Sequence, residues 1–207
     1  APAGKDLKLH LERIEAFNKR EKDPTDWEVK VYEGPDFFKK MIEEQAGNVV
    51  VLSGNNRKKT DYILEAVESG LNVLADKPMV ITADEFPKLE KAFSIARDKQ
   101  ALLYDIMTER YEITTMLQKA LSQDANVFGE LLRGTPGKPA VTKESVHHFF
   151  KYVSGSPLIR PPWFFDTDQQ GEGIVDVTTH LVDLIQWEWY PGVTLGKSDI
   201  EIIVARR

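Results

Sequence analysis

The sequence contains no cysteine, which excludes disulfide bonds, thiol nucleophiles and thiolate metal sites. No apolar run approaches the length of about 18 residues that crosses a bilayer, so we expect no membrane partner. The N-terminus lacks the hydrophobic segment of a signal peptide, and this favours the cytoplasm. A processed export signal would leave no trace, so the sequence leaves the periplasm open.

Basic residues form only short groups such as Arg57-Lys58-Lys59, and the formal net charge is -6 at pH 7. Because a nucleic-acid-binding protein needs a basic surface to neutralise phosphates, we expect no nucleic acid partner. The 207 residues, of which 42% are hydrophobic, are enough to fill one large core or two small ones.

A glycine-rich phosphate-binding turn is missing as well. A dinucleotide-binding sheet normally begins with a strand, a G-x-G-x-x-G turn and a helix whose N-terminus faces the pyrophosphate. This sequence begins on a predicted helix, contains no G-x-G-x-x-G motif and ends on a predicted strand with nothing to cover it. We therefore expect a fragment of a longer protein, with a naturally short chain as the alternative.

Strands and helices alternate through the first half of the chain. The predicted strands are 28–32, 48–54, 71–76 and 101–107, and the predicted helices are 7–22, 35–45, 57–69, 82–99 and 111–122. This order, with short loops, is typical of a parallel sheet with helices on both faces. The β-branched run "NVVVLSG" predicts a strand that is buried on both faces, and Gly70 predicts the end of the helix before "LNVLAD".

From residue 109 the pattern changes. Strand-like segments within 128–153 are split by a Gly/Pro turn, an apolar helix covers 171–187, and residues 199–207 alternate like a strand. Such alternation is typical of antiparallel sheets with one solvated face. Residues 109–207 are therefore predicted to form an α+β unit on a mostly antiparallel sheet.

The helix "GEGIVDVTTHLVDLIQW" interrupts its apolar face with Asp176, His180 and Asp183. Their spacing of four and then three residues places all three on one side of the helix. An imidazole is well suited to move a proton near neutral pH, and a carboxylate one turn away can orient it. The alternative is a buried structural histidine with the acids as caps. Gly171 and Gly173 permit either a close approach by another backbone or a ligand, or a sharp turn.

Lys77 directly follows the predicted strand "LNVLAD". Open α/β sheets bind ligands outside the carboxyl ends of their strands. Pro78 keeps Lys77 out of the helical region, so the ammonium is placed to bind a substrate oxygen and stabilise negative charge on it. The alternative is an ordinary solvated Asp-Lys-Pro turn.

Polar residues also follow the strand "NVVVL". Ser53, Asn55 and Asn56 offer hydroxyl and amide groups to a nucleotide, or Asn56 simply caps the next helix. Further along the chain, Trp163 and the two phenylalanines after it form either the wall of a sugar pocket or part of the core.

We expect no metal site. His147 and His148 are adjacent on a predicted strand, and adjacent strand residues point to opposite faces, so the two rings cannot chelate one ion. No His/Glu cluster elsewhere has the spacing of a zinc site.

Taken together, these motifs resemble the Gfo/Idh/MocA family of NAD(P)-dependent sugar oxidoreductases. "VVVLSGNN" is similar to the strand and loop of that family, and "AVESGLNVLADKPM" places Lys77 on its motif lysine. "GEGIVDVTTHLVDLIQW" places Asp176 and His180 on its catalytic pair. In "MTERY", Thr108 and Glu109 differ from the family pattern while Arg110 and Tyr111 agree with it. The resemblance spans about residues 28–190.

The resemblance implies an incomplete Rossmann-type dinucleotide-binding domain at 1–108 and a truncated substrate and dimerisation domain at 109–207. The second domain would carry a large open sheet, and a homo-oligomer would form through it. The implied cofactor is NAD or NADP, bound weakly or not at all because the pyrophosphate cradle is missing.

The resemblance also implies site residues. The cofactor side would be formed by Ser53, Asn55, Asn56, Asp76 and Lys77, although Asp76 stands where the family usually has the longer Glu. Arg110 and Trp163 would contact the substrate.

The implied reaction is hydride transfer from the carbinol carbon of a sugar, cyclitol or related polyol. His180 would take the hydroxyl proton, Lys77 would polarise the oxygen, and Asp176 would orient the sugar or His180. Two alternatives stay open: an NAD-dependent glycoside hydrolase, which the same Lys and His could serve, and a non-catalytic cofactor-sensing or scaffold protein.

Overall fold

The computed structural model describes residues 4–144, 150–153 and 155–201. The chain divides into two compact units, Ala1–Asn48 and Val49–Arg207. Every residue of the candidate site belongs to the second unit. The predicted domain boundary at residue 108 stays a prediction.

The first unit contains two helices, α1 (Gly4–Asn18) and α2 (Phe37–Glu44). Helix α1 ends at Asn18 and not near Lys22, because the Asn18 side chain turns back to the Trp27 backbone. Its Oδ1 accepts from the Trp27 N–H at 3.0 Å, and its Nδ2 donates to the Trp27 carbonyl at 3.0 Å. The strand predicted at 28–32 is wrong, since no described segment pairs with it and a strand needs a neighbouring ladder.

The second unit begins with a parallel sheet. Its strands are β1 (Val49–Leu52), β2 (Asn72–Ala75) and β3 (Leu103–Asp105), in the order β1-β2-β3. Both pairs are parallel, with Val50 opposite Val73 and Val73 opposite Leu103. The connections carry helices α3 (Lys59–Glu68) and α4 (Phe86–Asp98). The predicted α/β class with a parallel sheet is confirmed.

The core of this sheet lies on one face. Its fully buried side chains come from β2, α3 and α4 and are Val73, Ala75, Ile63, Ala66, Val67 and Ala92. Strand β1 alternates, because Val50 is buried whereas Val49 and Val51 are 50% and 58% exposed. The prediction that β1 is buried on both faces is therefore wrong for the described residues, since successive side chains of a strand point to opposite faces.

Helix α3 ends as its sequence predicts. Gly70 has a left-handed backbone with φ of 77°, a conformation that glycine adopts without steric cost. The Leu71 N–H bonds the Ala66 carbonyl at 3.0 Å and the Gly70 N–H bonds the Val67 carbonyl at 3.0 Å. This pair of bonds is a Schellman motif, and it directs the chain into β2.

Most of the regular elements that the structure describes after β3 are helices. A 3₁₀ turn at Glu109–Tyr111 leads into further elements, which are α5 (Ile113–Ser122), α6 (Ala125–Phe128), β4 (Tyr152–Val153), β5 (Ser156–Pro157), a 3₁₀ turn at Pro162–Phe165, α7 (Thr167–Gln170), α8 (Gly173–Asp176) and α9 (Thr178–Trp189). Strands β4 and β5 form an antiparallel pair, as the predicted fold class requires.

The antiparallel sheet is smaller than the sequence pattern predicts. Within the described part of 128–144 the structure has a single bridge, between Thr135 and Lys138, because the Gly/Pro-rich sequence favours turns over ladders. Residues 199–201 are not in a strand, and residues 202–207, like His147 and His148, lie outside the described residues. The homo-oligomer predicted to form through this sheet stays a prediction.

Candidate functional site

A cavity of about 290 Å³ lies beyond the carboxyl ends of β1 and β2. Residues that directly follow the two strands form one side of it, and these are Ser53, Gly54, Asp76 and Lys77. The later half of the chain forms the other side, chiefly through Arg160, Trp163, Phe164, Asp176 and His180. The structure therefore brings the three predicted catalytic side chains to one cavity.

Lys77 is held by a single residue from the other half of the unit. Its Nζ donates to Asp176 Oδ1 at 2.5 Å and to the Asp176 carbonyl at 2.8 Å. Both side chains are largely buried, and the Lys77 N–H donates to Asp76 Oδ1 at 2.8 Å. Since an ammonium has three donors, one N–H of Lys77 has no partner among the described residues and is available to a ligand in the cavity.

The predicted single helix at 171–187 is in fact two helices, α8 and α9, separated at Val177. In a continuous helix the His180 N–H would bond the Asp176 carbonyl. Here it bonds the Val177 carbonyl at 3.3 Å, while the Asp176 carbonyl accepts from Lys77. The break therefore lies directly after Asp176, the residue that binds the lysine.

Gly171 allows α8 to approach the loop that follows Lys77. Its φ is 90°, and a Cβ at this position would lie 2.6 Å from Val175 Cγ2 and 2.9 Å from Ile81 Cγ2. The atoms that this Cβ would meet belong to side chains, so the predicted approach by another backbone or a ligand stays a prediction. The positive φ agrees with the alternative, a sharp turn. At Gly173 an added Cβ would meet no atom within 4 Å.

The imidazole of His180 faces a carboxylate from the turn after β3. Its Nδ1 lies 3.0 Å from Glu109 Oε2, although neither atom meets the geometry of a hydrogen bond. Sequence reasoning missed this contact, because it treated Glu109 only as a departure from the family pattern.

Asp183 pairs with Arg110, and neither residue lines the cavity of Lys77, Asp176 and His180. Arg110 Nε lies 2.7 Å from Asp183 Oδ2, and Nη2 bonds Asp183 Oδ1, which makes the pair bidentate. This bond raises the pKa of Arg110. Arg110 lines a neighbouring cavity with Trp187 and Tyr190. The structure therefore does not bring Arg110 to the cavity of Lys77 and His180. Its predicted contact with substrate stays a prediction.

The three polar residues on one side of the predicted helix, Asp176, His180 and Asp183, each contact a residue that follows a strand. Asp176 contacts Lys77, His180 contacts Glu109, and Asp183 contacts Arg110. The three partners follow β2 and β3 in the chain. The three residues therefore form the surface through which α8 and α9 pack against the carboxyl ends of the sheet.

Asn55 and Asn56 hold the segment that precedes α8. Asn56 is 3% exposed, and its Nδ2 donates to the Gln170 carbonyl at 2.9 Å. Asn55 Nδ2 donates to Gln169 Oε1 at 3.0 Å. Asn56 is not the side-chain cap of α3, whose N-cap residue is Lys58. Of the predicted cofactor residues, Ser53, Asn56, Asp76 and Lys77 line the cavity and Asn55 does not.

Lys59 is a buried cation beside the site that sequence reasoning missed. It is 2% exposed, and its Nζ donates to the Asp76 carbonyl at 2.9 Å. Burial lowers the pKa of Lys59 to about 8, against the opposing charge of Asp76. A signal was present, since Lys59 precedes the buried Ile63 and Ala66 at helical intervals.

The aromatic wall of the cavity consists of Trp163 and Phe164. Phe165 is 70% exposed, so packing in a core does not account for it. The guanidinium of Arg160 lies 3.9 Å above the centre of the Phe164 ring, a cation–π contact that also lines the cavity. Trp163 lies in the cavity wall, where the ring of a ligand could stack on its indole. Its contact with substrate stays a prediction.

The described residues contain neither a metal-binding cluster nor a membrane-spanning helix. In 4–144, 150–153 and 155–201, no group of three or more His, Cys, Asp or Glu side chains could hold a metal ion. In the same ranges, no helix combines the length and the apolar character that spanning a bilayer requires.

Two family profiles match successive parts of the chain. Residues 8–104 match the Gfo/Idh/MocA profile, described as "Oxidoreductase family, NAD-binding Rossmann fold". Residues 117–207 match a profile described as "Putative oxidoreductase C terminal domain". No curated protein matches the chain.

Solved structures agree with these matches. The chain is 57% identical to a "putative oxidoreductase" from Parabacteroides merdae, with a TM-score of 0.84 over 92% of this chain and 44% of that one. An NAD-binding protein from Listeria innocua shares the fold, with 14% identity and a TM-score of 0.60 over 90% of this chain and 44% of that one. A "putative oxidoreductase" from Thermotoga maritima shares it too, with 17% identity and a TM-score of 0.57 over 88% and 47%.

The chain thus spans less than half of the length of each of these proteins. The profiles match it in the order in which the sheet and the later helices follow each other. The parallel sheet and the relative from P. merdae agree with that match. The chain belongs to the Gfo/Idh/MocA family of oxidoreductases.

Proposed function

We propose that the protein is an NAD(P)-dependent oxidoreductase that transfers a hydride between a nicotinamide ring and a carbinol carbon of a sugar, cyclitol or related polyol. The observation that carries the proposal is the one cavity shared by Lys77, Asp176 and His180. Its volume of about 290 Å³ lies at the lower end of the ~300–1,000 Å³ range of ligand sites.

The strand-end side of the cavity fits the nicotinamide end of the cofactor. Ser53 supplies a hydroxyl and Asp76 supplies a carboxylate. The space beside Gly54 is open, since an added Cβ there would meet no atom within 4 Å. Hydroxyl and carboxylate groups are suitable partners for ribose hydroxyls and a carboxamide. When bound, the nicotinamide supplies the electron sink for the hydride. NAD and NADP share these groups, so the proposal covers both.

The charged residues would act on the carbinol group. The remaining N–H of Lys77 would donate to the carbinol oxygen and stabilise negative charge that develops there. Asp176 would keep the ammonium aimed at that oxygen, because it holds Lys77 through two bonds. His180 would accept the hydroxyl proton as general base. Three groups fixed in one cavity supply the orientation that such a transfer needs.

The test is a substrate panel. The protein is incubated with NAD⁺ or NADP⁺ and a set of monosaccharides, glycosides, cyclitols and linear polyols. Nicotinamide reduction is followed by absorbance, and the products are analysed for glycoside cleavage. We expect reduction with at least one compound at high cofactor concentration, because the sequence contains no glycine-rich turn and weak dinucleotide binding is predicted. His180→Ala should lower turnover by about 10²–10⁴-fold and leave dinucleotide affinity unchanged.

The matched control is His10→Ala, which removes an exposed histidine of α1 and should leave turnover unchanged. Equal losses of turnover and dinucleotide affinity in His180→Ala would make His180 a structural residue. No reduction with any compound would contradict the proposal. Cleavage of a glycoside without net nicotinamide reduction would replace the dehydrogenase with the glycoside hydrolase.

A further inference from the structure

We propose that Glu109 is a positioning residue that holds His180 with its Nδ1–H toward the carboxylate and its unprotonated Nε2 toward the cavity. The inference rests on the proposed function, because it gives His180 the tautomer that a general base requires. It goes beyond that function by assigning a role to a residue at which the chain departs from the family pattern.

The first argument is the pairing of two buried atoms. His180 Nδ1 and Glu109 Oε2 lie 3.0 Å apart, and both are buried with no other hydrogen-bond partner among the described residues. Buried polar atoms without a partner are costly. Rotation of the imidazole within its broad χ2 well aligns one N–H···O bond that satisfies both atoms.

The second argument is the direction of that bond. An ionised carboxylate can only accept, and a neutral imidazole carries one N–H and one acceptor nitrogen. A bond to Glu109 therefore places the proton on Nδ1 and leaves the Nε2 lone pair free. Since His180 lines the cavity with Lys77 and Asp176, a free Nε2 there can take a proton from a bound hydroxyl.

The third argument is that two described cations of this region, Arg110 and Lys77, are bound to other carboxylates and not to Glu109. The neighbouring Arg110 is already bound to both carboxylate oxygens of Asp183. Lys77 is bound to Asp176. Glu109 and Arg110 lie in one 3₁₀ turn, so their two contacts with α9 also fix how that helix is rotated toward the cavity.

The test reads the tautomer directly. The protein is labelled with ¹⁵N-histidine, and the ring nitrogens are observed by NMR at a pH at which imidazoles are neutral. The chain has four histidines, and loss of signals in His180→Gln identifies those of His180. We expect the Nδ1–H tautomer in the parent protein. In Glu109→Gln we expect a shift toward the Nε2–H tautomer, because the amide can donate to Nδ1.

Two variants keep the test sharp. Glu109→Asp retains the carboxylate. His180 should therefore keep the Nδ1–H tautomer in this variant, whereas it should lose that tautomer in Glu109→Gln. Glu112→Gln removes the same charge from an exposed glutamate of the same segment and should change nothing. A His180 tautomer that is the same in the parent protein and in Glu109→Gln overturns the inference, and so does an Nε2–H tautomer in the parent protein.

The tautomer measurement needs neither substrate nor cofactor, so its failure is separate from a failure of the proposed function. Once a substrate is found, Glu109→Gln should lower kcat by about 10²-fold or more, with little change in KM. Loss of substrate binding with unchanged kcat would mean that Glu109 acts on binding, and it would overturn the positioning role.

Discussion

Two buried ion pairs lie on the α8–α9 segment, and they closely resemble each other in composition and burial. Lys77 and Asp176 are 2.5 Å apart, and their side chains are 21% and 9% exposed. Lys143 and Glu188 are 2.9 Å apart, and their side chains are 21% and 3% exposed. Distance and burial alone would therefore assign the two pairs the same role.

The two pairs differ in how many hydrogen-bond partners the acidic residue has. Glu188 Oε1 accepts from Lys143, Oε2 accepts from Gln118 Nε2 at 2.9 Å, and the Glu188 carbonyl accepts from Gln123 Nε2 at 2.6 Å. That network ties α9 to α5. Among the described residues, the Asp176 carboxylate accepts only from Lys77, and this pair lines a cavity. Unused hydrogen-bonding capacity that faces a cavity separates a candidate catalytic pair from a structural one.

Within this comparison of the two pairs, the largest expected effect on turnover comes from removing the cavity lysine. Lys77→Met should lower turnover by about 10²–10³-fold, the range for loss of one donor to developing charge. Its effect on the free energy of unfolding should be smaller than in the next variant, because water in the cavity can solvate Asp176. Steady-state kinetics and urea unfolding measure the two quantities. Turnover equal to that of the parent protein would contradict a catalytic role for the Lys77–Asp176 pair.

The same substitution in the other pair should lower the unfolding free energy and leave turnover unchanged. Lys143→Met leaves Glu188 as a buried carboxylate without its cation, which costs about 3–5 kcal/mol in unfolding free energy. Turnover per folded molecule should not change. Urea unfolding gives the stability, and kinetics normalised to folded protein give the turnover. Normal stability together with lost turnover would mean that the roles of the two pairs are reversed.

A third buried lysine gives the smallest effect. The bonded partner of Lys59 is a carbonyl and not a carboxylate, and burial lowers its pKa from 10.5 to about 8. Between these values the unfolded chain binds more protons than the folded protein, so stability rises with pH. The rise is at most about 3 kcal/mol. In urea unfolding from pH 7 to 10.5, Lys59→Met should lack this rise, and matching slopes in the two proteins would contradict a buried, shifted Lys59.

Local patterns in the sequence predict the sheet and the cavity residues well. Alternating strands and helices predict β1, β2 and β3 as parallel neighbours, because short connections leave few other topologies. Lys77 follows a strand end, and the four-residue spacing predicts that Asp176 and His180 lie on one side of their segment. These placements depend on neighbours in the chain, and the fold class is confirmed.

What sequence reasoning missed depends on contacts between distant segments. The break at Val177 follows from a bond between residues 99 positions apart, so helical periodicity cannot predict it. The Glu109–His180 contact depends on where the turn after β3 meets α9. Asn56 offers the same amide to a helix cap or to the Gln170 carbonyl, and only the packed structure selects between them.

A crystal structure of the protein with oxidised dinucleotide and a reactive polyol is the most direct test of the account. The account predicts one carbinol oxygen within about 3.2 Å of both Lys77 Nζ and His180 Nε2, with Glu109 bonded to the opposite nitrogen of the ring. A polyol that contacts Lys77 and His180 through no common oxygen, or that binds outside this cavity, would contradict it.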